Sequence, residues 1–339
     1  MSRCFIAGAR LLDGRSAPRA KPHSVLVENG RIAAVGPASE LLCPQGVKVI
    51  DAQGLTLMPG MIDCHDHLAS ISGGMRERSQ IPPSLAVLKA AAALEDTLLA
   101  GFTGIRDAGG LDQGVKFAVE QGLIVGPRLK ISINILGQTG GQNSHIEPSG
   151  VDSQFPILPG VPNAICDGVD ACRQRTRAMI LAGADWIKLA TTGGMSPPVG
   201  EPLLRQLSSE EIAAIVDTAH AAGKPVMCHA YGGEGARLAI AHGVQSIEHG
   251  AALEREDLEH MQRKGIWLVP TFAVLVQVAE IAARDPSAVP VHVARKANDL
   301  LARLKVSFAL AREIGVKIAL GTDAGGIAHG RNAREFGYM

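Results

Sequence analysis

The chain has 339 residues, of which 46% are hydrophobic and 19% charged, with Lys+Arg and Asp+Glu equal at 33 each. This composition excludes intrinsic disorder and fibrous repeats, because enough apolar surface is present to bury a sizeable core. Balanced charge argues against a nucleic acid or an anionic membrane as partner. A small neutral or zwitterionic substrate fits this composition better.

The ends and the cysteines give no sign of export. The N-terminal segment MSRCFIAGARLLDG has no basic-then-apolar leader pattern. No apolar run approaches the roughly 20 residues that span a bilayer. The six cysteines lie apart without CxxC pairs, which is typical of free, mostly buried thiols. We therefore expect a cytoplasmic protein.

Residues 1–57 are predicted to form a small β module. Short β segments are expected at residues 4–7, 24–28 and 31–35, with Asn29-Gly30 as a hairpin turn between the last two. A second hairpin-like stretch is expected at residues 47–51 and 55–57. No helix follows the first strand and no glycine-rich phosphate loop is present, so this module is not a nucleotide-binding unit.

Residues 58–339 alternate short apolar runs with helical patterns. Ser208 with Glu210 and Glu211 is a helix start, and Gly183, Gly223 and Gly243 mark helix ends. Strands are expected at residues 61–64, 104–107, 128–133, 186–190, 226–229, 246–249, 266–270 and 317–322, and helices at 84–100, 168–182, 208–222 and 233–242, among others. Eight such units predict a (β/α)8 TIM barrel, and an open doubly wound sheet is the alternative.

The active site of such a barrel lies at the carboxyl ends of its strands, so polar residues at those ends are the candidate site residues. His65 and His67 follow a strand in PGMIDCHDHL. Alternate residues of an extended segment point the same way, so the pair presents two imidazoles to one point. This geometry suits a metal ion, although two solvent-exposed histidines give the same pattern.

Lys188 lies between Ile187 and Leu189 in an apolar strand. Burial of an ammonium group is unfavourable unless its pKa falls. The neutral amine can react with carbon dioxide to give a carbamate, an anionic ligand able to bridge two cations. A lysine paired with a nearby carboxylate explains the strand equally well.

Three further residues end strands. His229 lies in PVMCHAYG, His249 in QSIEHG, and Asp323 in IALGTDAGG. A single histidine of this kind is usually a core residue, but two on successive strands together with a His-x-His pair indicate a metal site. Asp107, in TGIRDAGG, ranks lower as a structural residue. The nitrogen and oxygen donors favour zinc, with manganese, cobalt or iron as alternatives.

These motifs resemble the amidohydrolase superfamily, in the subgroup with two metals and a carboxylated lysine. MPGMIDCHDHL, IKLATTGG, CHAYG, SIEHG and GTDAGG follow the family's order from Pro59 to Gly326. The resemblance implies that His65, His67 and Asp323 hold one metal, that His229 and His249 hold the other, and that carboxylated Lys188 bridges them. It also implies that residues 1–57 belong to a small β-sandwich domain beside the barrel at 58–339.

Within the superfamily the chain resembles prolidase-like peptidases, which cleave dipeptides or N-acyl amino acids. By this resemblance Tyr231 and His145 contact the substrate and the developing oxyanion, with His329 and Arg331 as weaker substrate contacts. Asp323 would accept the proton of the attacking water and pass it to the leaving nitrogen. The resemblance further implies a homo-oligomer, and a chain that continues beyond Met339.

The sequence leaves three alternative functions open. Hydrolysis of a cyclic amide, as in imidazolonepropionase- or hydantoinase-like relatives, is one; Lys188 counts against the imidazolonepropionase branch, which usually works with one metal. An amidase or carboxypeptidase acting on N-acyl amino acid toxins is another. The third, a catalytically dead scaffold, is disfavoured because every ligand position is filled.

Overall fold

The computed structural model describes residues 3–15, 17, 19, 21–70, 80–144, 149–151, 160–197 and 200–339. The chain divides into two compact units, Met1–Met61 and Ile62–Met339. Within the described part, no helix combines the length and the apolar character needed to cross a membrane.

The smaller unit is a five-stranded sheet with the order β3-β2-β1-β4, in which β5 also pairs with β1. Its strands are β1 (Arg3–Leu11), β2 (His23–Glu28), β3 (Arg31–Pro37), β4 (Lys48–Asp51) and β5 (Thr56–Leu57). The predicted Asn29-Gly30 hairpin is confirmed, because β2 and β3 pair antiparallel with Glu28 opposite Arg31. Asn29 and Gly30 have φ values of 51° and 73°, as a two-residue turn of this type requires.

The second predicted hairpin is wrong. Strands β4 and β5 do not pair with each other; both run parallel to β1, β4 along residues 4–7 and β5 along Arg10 and Leu11. The cause lies in β1, whose register shifts between Ile6 and Ala9 around Gly8, at φ 72°. The turn between β4 and β5 therefore steps past this irregularity instead of reversing the chain.

The larger unit is an α/β structure in which parallel strands alternate with helices. Its strands are β6 (Met61–Asp66), β7 (Phe102–Asp107), β8 (Arg128–Ile131), β9 (Ile135–Leu136), β10 (Ile187–Ala190), β11 (Val226–Gly232), β12 (Ser246–Ala252), β13 (Trp267–Val269) and β14 (Lys317–Ile318). Its helices are α1 (Pro83–Leu99), α2 (Gln113–Glu120), α3 (Val169–Leu181), α4 (Ser209–Ala221), α5 (Gly233–His242), α6 (Arg255–Lys264), α7 (Phe272–Arg284) and α8 (Val291–Ile314), followed by a 3-10 helix (Asn332–Gly337).

These strands form two parallel sheets, one with the order β14-β13-β12-β11-β10-β9 and one with the order β6-β7-β8. Backbone hydrogen bonds connect the sheets at two places. The Cys64 amide donates to the Leu320 carbonyl at 2.8 Å, just beyond β14. The Asp185 amide, just before β10, donates to the Ile131 carbonyl of β8, also at 2.8 Å.

Each predicted strand of this unit is present, but two are altered. The strand predicted at 128–133 ends already at Ile131, two residues before Ile133 with its φ of 69°, and β9 follows as a separate short strand in the other sheet. Beyond β14 the chain keeps single backbone bonds to its neighbours without regular strand geometry. The predicted start of α4 is confirmed: Ser208 accepts from the Glu211 amide, and Glu211 accepts from the Ser208 amide.

Candidate active site

One cavity of the larger unit is lined mainly by side chains at the ends of its strands. The lining residues are His65, His67, Ile135, Gln142, Lys188, Met195, Ser196, His229, Tyr231, His249 and Asp323. All six predicted metal ligands are among them. They come from β6, β10, β11, β12 and the segment after β14, so the carboxyl ends of these strands meet at one place.

The imidazoles are close enough to share ions. Ring centroids of His229 and His249 are 4.6 Å apart, and those of His65 and His249 are 4.9 Å apart. One ligand atom each from His65, His67 and Asp323 lie within 4.8 Å of one another. The group formed by His65, His67 and Asp323 has the composition and spacing of a divalent-cation site.

Two of the imidazoles are oriented by acceptors away from the cavity. His65 Nδ1 lies 2.7 Å from Oε2 of Glu248, and His67 Nδ1 lies 2.9 Å from the Gly109 carbonyl oxygen. A carbonyl or carboxylate oxygen only accepts, so Nδ1 of each ring carries the proton. Both Nε2 atoms face Asp323, at 3.6 Å and 3.4 Å from its Oδ1.

The other two imidazoles are held in the same manner. His229 Nε2 donates to the Gly193 carbonyl at 3.0 Å, and His249 Nδ1 lies 2.8 Å from Oγ1 of Thr271. Burial lowers the pKa of His229 to about 3 and the pKa values of His65 and His249 well below their ordinary value. Neutral rings with one nitrogen fixed by an outer partner are the form in which histidine binds metals.

Glu248 belongs to a buried network that the sequence analysis missed. It accepts hydrogen bonds from the guanidinium of Arg106 at 2.9 Å and from the hydroxyl of Ser246. The guanidinium also lies 4.6 Å from the ring centroid of Trp186. A signal was present in the sequence: Arg106 and Glu248 are opposite charges within two predicted strands, and buried charges are usually paired.

Lys188 is 1% exposed, and its Nζ has no hydrogen-bond partner among the described residues. Burial, opposed by the charge of Glu248, lowers its pKa to about 8. An unpartnered buried amine is unfavourable, so its presence needs a chemical explanation.

Asp323 reaches the cavity through an unusual backbone. Its φ is 55°, and its amide donates to the His65 carbonyl at 2.7 Å. A side chain at Gly321 would overlap Val269 and His65, so only glycine permits this close approach. His249 also has a positive φ, of 71°. Strained conformations of this kind cluster at functional sites. Burial raises the pKa of Asp323.

Tyr231 lies beside the histidines. Its ring centroid is 5.0 Å from that of His229 and 5.2 Å from that of His249. Burial and the charge of Asp323 raise the pKa of its phenol, which therefore stays protonated and remains a donor. His145, the other predicted oxyanion contact, lies outside the described residues.

The remaining predicted residues have other surroundings. His329 Nε2 lies 3.0 Å from Oδ1 of Asp66; burial opposes protonation of His329, but this hydrogen bond prevails and raises its pKa. Arg331 is exposed. Neither residue is among the described residues that line the cavity. Asp107 accepts from the backbone amides of Leu68 and Gly109, each at 3.0 Å.

Two family models match the chain. The Amidohydrolase family matches residues 56–339, and the imidazolonepropionase-like composite domain of bacteria matches residues 25–43. Ochratoxinase from Aspergillus niger is 32% identical over 279 residues, which is 79% of this chain. The chain spans 58% of the length of that relative.

Solved structures are similar over nearly the whole chain. A prolidase complexed with N-methylphosphonate-L-proline superposes with a TM-score of 0.85 at 32% identity, covering 97% of this chain and 80% of that one. A Xaa-Pro dipeptidase with bound methionine in its active site gives a TM-score of 0.88 at 29% identity, covering 99% and 83%. With a family match over residues 56–339, the chain belongs to the amidohydrolase family.

Proposed function

We propose that the protein hydrolyses the amide bond of dipeptides or N-acyl amino acids, in the manner of a prolidase, with two bound divalent metal ions that we expect to be zinc. One observation carries the proposal. Four imidazoles, one carboxylate and one buried amine without a hydrogen-bond partner among the described residues converge on a single cavity. This donor set suits borderline divalent cations.

The proposal includes the architecture around the site. The two parallel sheets would form one closed (β/α)8 barrel, and the N-terminal strands would belong to a small β-sandwich. The consecutive strand order of each described sheet supports the barrel, because a doubly wound sheet reverses its order. The backbone bonds from Cys64 to Leu320 and from Asp185 to Ile131 support closure.

His65, His67 and Asp323 would hold one ion, His229 and His249 the other, and Lys188 as its carbamate would hold both. The Lys188 amine supports this assignment of ligands, because it is buried and has no hydrogen-bond partner among the described residues. When bound, a pair of cations supplies Lewis acidity toward the amide carbonyl and makes a water molecule more acidic.

The protein's own groups would then move the proton. Asp323, oriented by its backbone bond to His65, accepts the proton of the attacking water and delivers it to the leaving nitrogen. Tyr231 stays protonated and donates to the carbonyl oxygen as negative charge develops there. His145 would be a second donor of this kind.

The relatives support this substrate class. One is a prolidase complexed with a phosphonate derivative of proline, and another is a Xaa-Pro dipeptidase with bound methionine. Ochratoxinase extends the range of amides to be tested to N-acyl amino acid toxins. The expected homo-oligomer is a separate prediction, to be checked by light scattering.

A substrate screen with parallel metal analysis tests the proposal. Purified protein is offered Xaa-Pro dipeptides, other dipeptides and N-acyl amino acids, and its metal content is measured. His229→Ala should lose both metal and turnover, whereas His220→Ala, at an exposed position on α4, should keep both. A metal-free protein with no activity on the whole panel would refute the proposal.

A cyclic amide hydrolase is the second candidate. The match of residues 25–43 to an imidazolonepropionase-like domain favours it, although that segment lies apart from the cavity residues in the sequence. Imidazolone and hydantoin rings are therefore part of the panel. Faster turnover of these rings than of any linear amide would replace the first candidate by this one.

A further inference from the structure

The segment after β10 forms part of the cavity wall. Met195 and Ser196 line the cavity. At its base the segment is paired with itself: Thr192 forms an antiparallel bridge with Arg205, and the Gly193 amide donates to the Leu204 carbonyl at 3.1 Å. These contacts fix the base but not the region around Ser196.

The first turns of α8 contact that region. Lys296 Nζ donates to the carbonyls of Pro197 at 2.8 Å and Gly200 at 2.7 Å. Arg295 pairs with Glu201 at 2.7 Å, but both side chains are more than half exposed. Exposed ion pairs contribute little. His292 Nε2, in the first turn of α8, also lies 3.2 Å from the Ser196 carbonyl oxygen, near the surface. Of these three side chains, Lys296 is the one that is almost completely buried, so its two hydrogen bonds are the best shielded from water.

The side chain of Lys296 is almost completely buried, which is unusual for lysine. It is 2% exposed, and among the described residues its Nζ hydrogen-bonds to carbonyl oxygens alone. An aliphatic residue would fill the same space without the loss of ammonium hydration. What an aliphatic residue would lack is the connection between α8 and the carbonyls on either side of residues 198 and 199.

The same helix also contributes to the apolar surroundings of Met195. Met195 packs against a buried cluster that includes Tyr231, Phe272, Ala297 and Leu300. Ala297 and Leu300 belong to α8, as Lys296 does. The helix therefore hydrogen-bonds the segment at Pro197 and Gly200, and it contributes residues to the apolar cluster against which Met195 packs.

We propose that Lys296 is a positioning residue that fixes Met195 and Ser196 as one wall of the substrate cavity and so determines affinity for substrates with an apolar side chain. The expected effect of Lys296 on kinetics rests on the proposed amide hydrolysis. The expected structural effect, that Lys296 holds the segment after β10 against α8, does not depend on that function.

The kinetic test compares Lys296→Met with Arg303→Met, a control on the same helix whose exposed side chain pairs with Asp299. For N-acetyl-methionine, Lys296→Met should raise KM about tenfold with kcat changed less than about twofold. KM for N-acetyl-glycine, which has no side chain to meet Met195, should change little. A fall in kcat with unchanged KM, or equal KM changes for both substrates, would overturn the proposal.

A second pair of variants covers the case in which Lys296→Met folds poorly. Met195→Ala leaves Lys296 in place and should reproduce the selective rise in KM. The Met195→Ala, Lys296→Arg double variant should be no worse than Met195→Ala alone, since arginine keeps donors for the carbonyls. A Met195→Ala variant with wild-type KM for both substrates contradicts the assignment.

Amide hydrogen exchange gives a readout that needs no activity. In Lys296→Met the Leu204 amide, which donates to the Glu201 carbonyl at 3.1 Å beside Gly200, should exchange faster, whereas the Gly193 amide at the fixed base should not. In Lys296→Arg and Arg303→Met both amides should exchange as in the wild type. Unchanged exchange of the Leu204 amide in Lys296→Met refutes the structural part. If the wild type hydrolyses no amide, the proposed function fails while the exchange result still decides the role of Lys296.

Discussion

The Nδ1 atom of His65 lies 2.7 Å from Oε2 of Glu248, and both side chains are almost completely buried. The carboxylate is paired on its other side with Arg106. Glu248 therefore fixes which nitrogen of His65 carries the proton and aims Nε2 toward Asp323. The form of His65 that the proposed metal site requires therefore depends on a residue that is not itself a proposed ligand.

Glu248→Gln should lower metal affinity about 10- to 100-fold, because the orientation of His65 is no longer enforced. Stability should also fall by about 3 kcal/mol, since Arg106 is left without its buried partner. Competition with a chromogenic chelator measures the affinity, and urea unfolding measures the stability. Glu313→Gln, which affects only an exposed pair with Arg255, is the control. Unchanged metal affinity would show that Glu248 does not orient the ligand.

Lys188→Met should stabilise the metal-free protein by about 1–3 kcal/mol, because an unpartnered buried amine is replaced by an apolar side chain of similar length. The same variant should lose turnover and any response to bicarbonate. Lys116→Met is the contrasting variant and should be destabilised, since Lys116 pairs with Asp185 at 2.9 Å. A metal-free Lys188→Met protein that unfolds more easily than the wild type contradicts this explanation of Lys188.

Asp323→Asn should lower kcat by about 10²- to 10⁴-fold, the usual effect of removing a proton acceptor. Much of the metal should remain, because an amide oxygen and the other ligands are still present. Inductively coupled plasma emission spectroscopy measures the bound metal, and steady-state kinetics on the same preparation measures kcat. Asp299→Asn, at an exposed position on α8, should have wild-type values. Wild-type turnover in Asp323→Asn would refute the assigned role.

Asp185 gives a pH-dependent prediction far from the proposed ligands. Burial raises its pKa, but the hydrogen bonds from Lys116, the Ile131 amide and Lys130 outweigh burial, and the net pKa is lowered. The unfolded chain therefore binds this proton more readily than the folded protein. The resulting stability is present above about pH 4, the ordinary pKa, and is lost as the pH falls through the folded pKa.

The measurement compares urea unfolding of the wild type and Asp185→Asn between pH 7 and pH 3. The wild type should be more stable by about 1–3 kcal/mol at pH 7. This difference should shrink below about pH 4, where the unfolded chain is protonated. A difference that stays constant over the whole range would mean that the charge of Asp185 does not stabilise the fold.

The strand ends could be predicted from sequence because their signals are local. An apolar run followed by His65, His229 or His249 predicts a strand, and the histidine marks the carboxyl end of that strand. Lys188 was detectable for a similar reason, as a charge inside an apolar run. Each of these side chains lines the cavity, and each could be predicted from its immediate sequence neighbours alone.

The outer partners were not predictable in this way, because they arrive from elsewhere in the chain. Glu248 meets His65 across 183 positions, and Gly109 meets His67 across 42. Backbone conformation was also missed where a non-glycine residue adopts a positive φ. Ile133 is such a residue, and the strand predicted at residues 128–133 ends before it, at Ile131.

The central claim is amide hydrolysis that depends on two metal ions held at these six side chains. The most direct measurement is a titration of the metal-free protein with zinc in the presence of bicarbonate, with hydrolysis of the best N-acyl amino acid or dipeptide recorded at each step. We predict no turnover without metal and a rate that rises until two ions are bound per chain. Full turnover by the metal-free protein, or saturation of both binding and rate at one ion, would contradict the account.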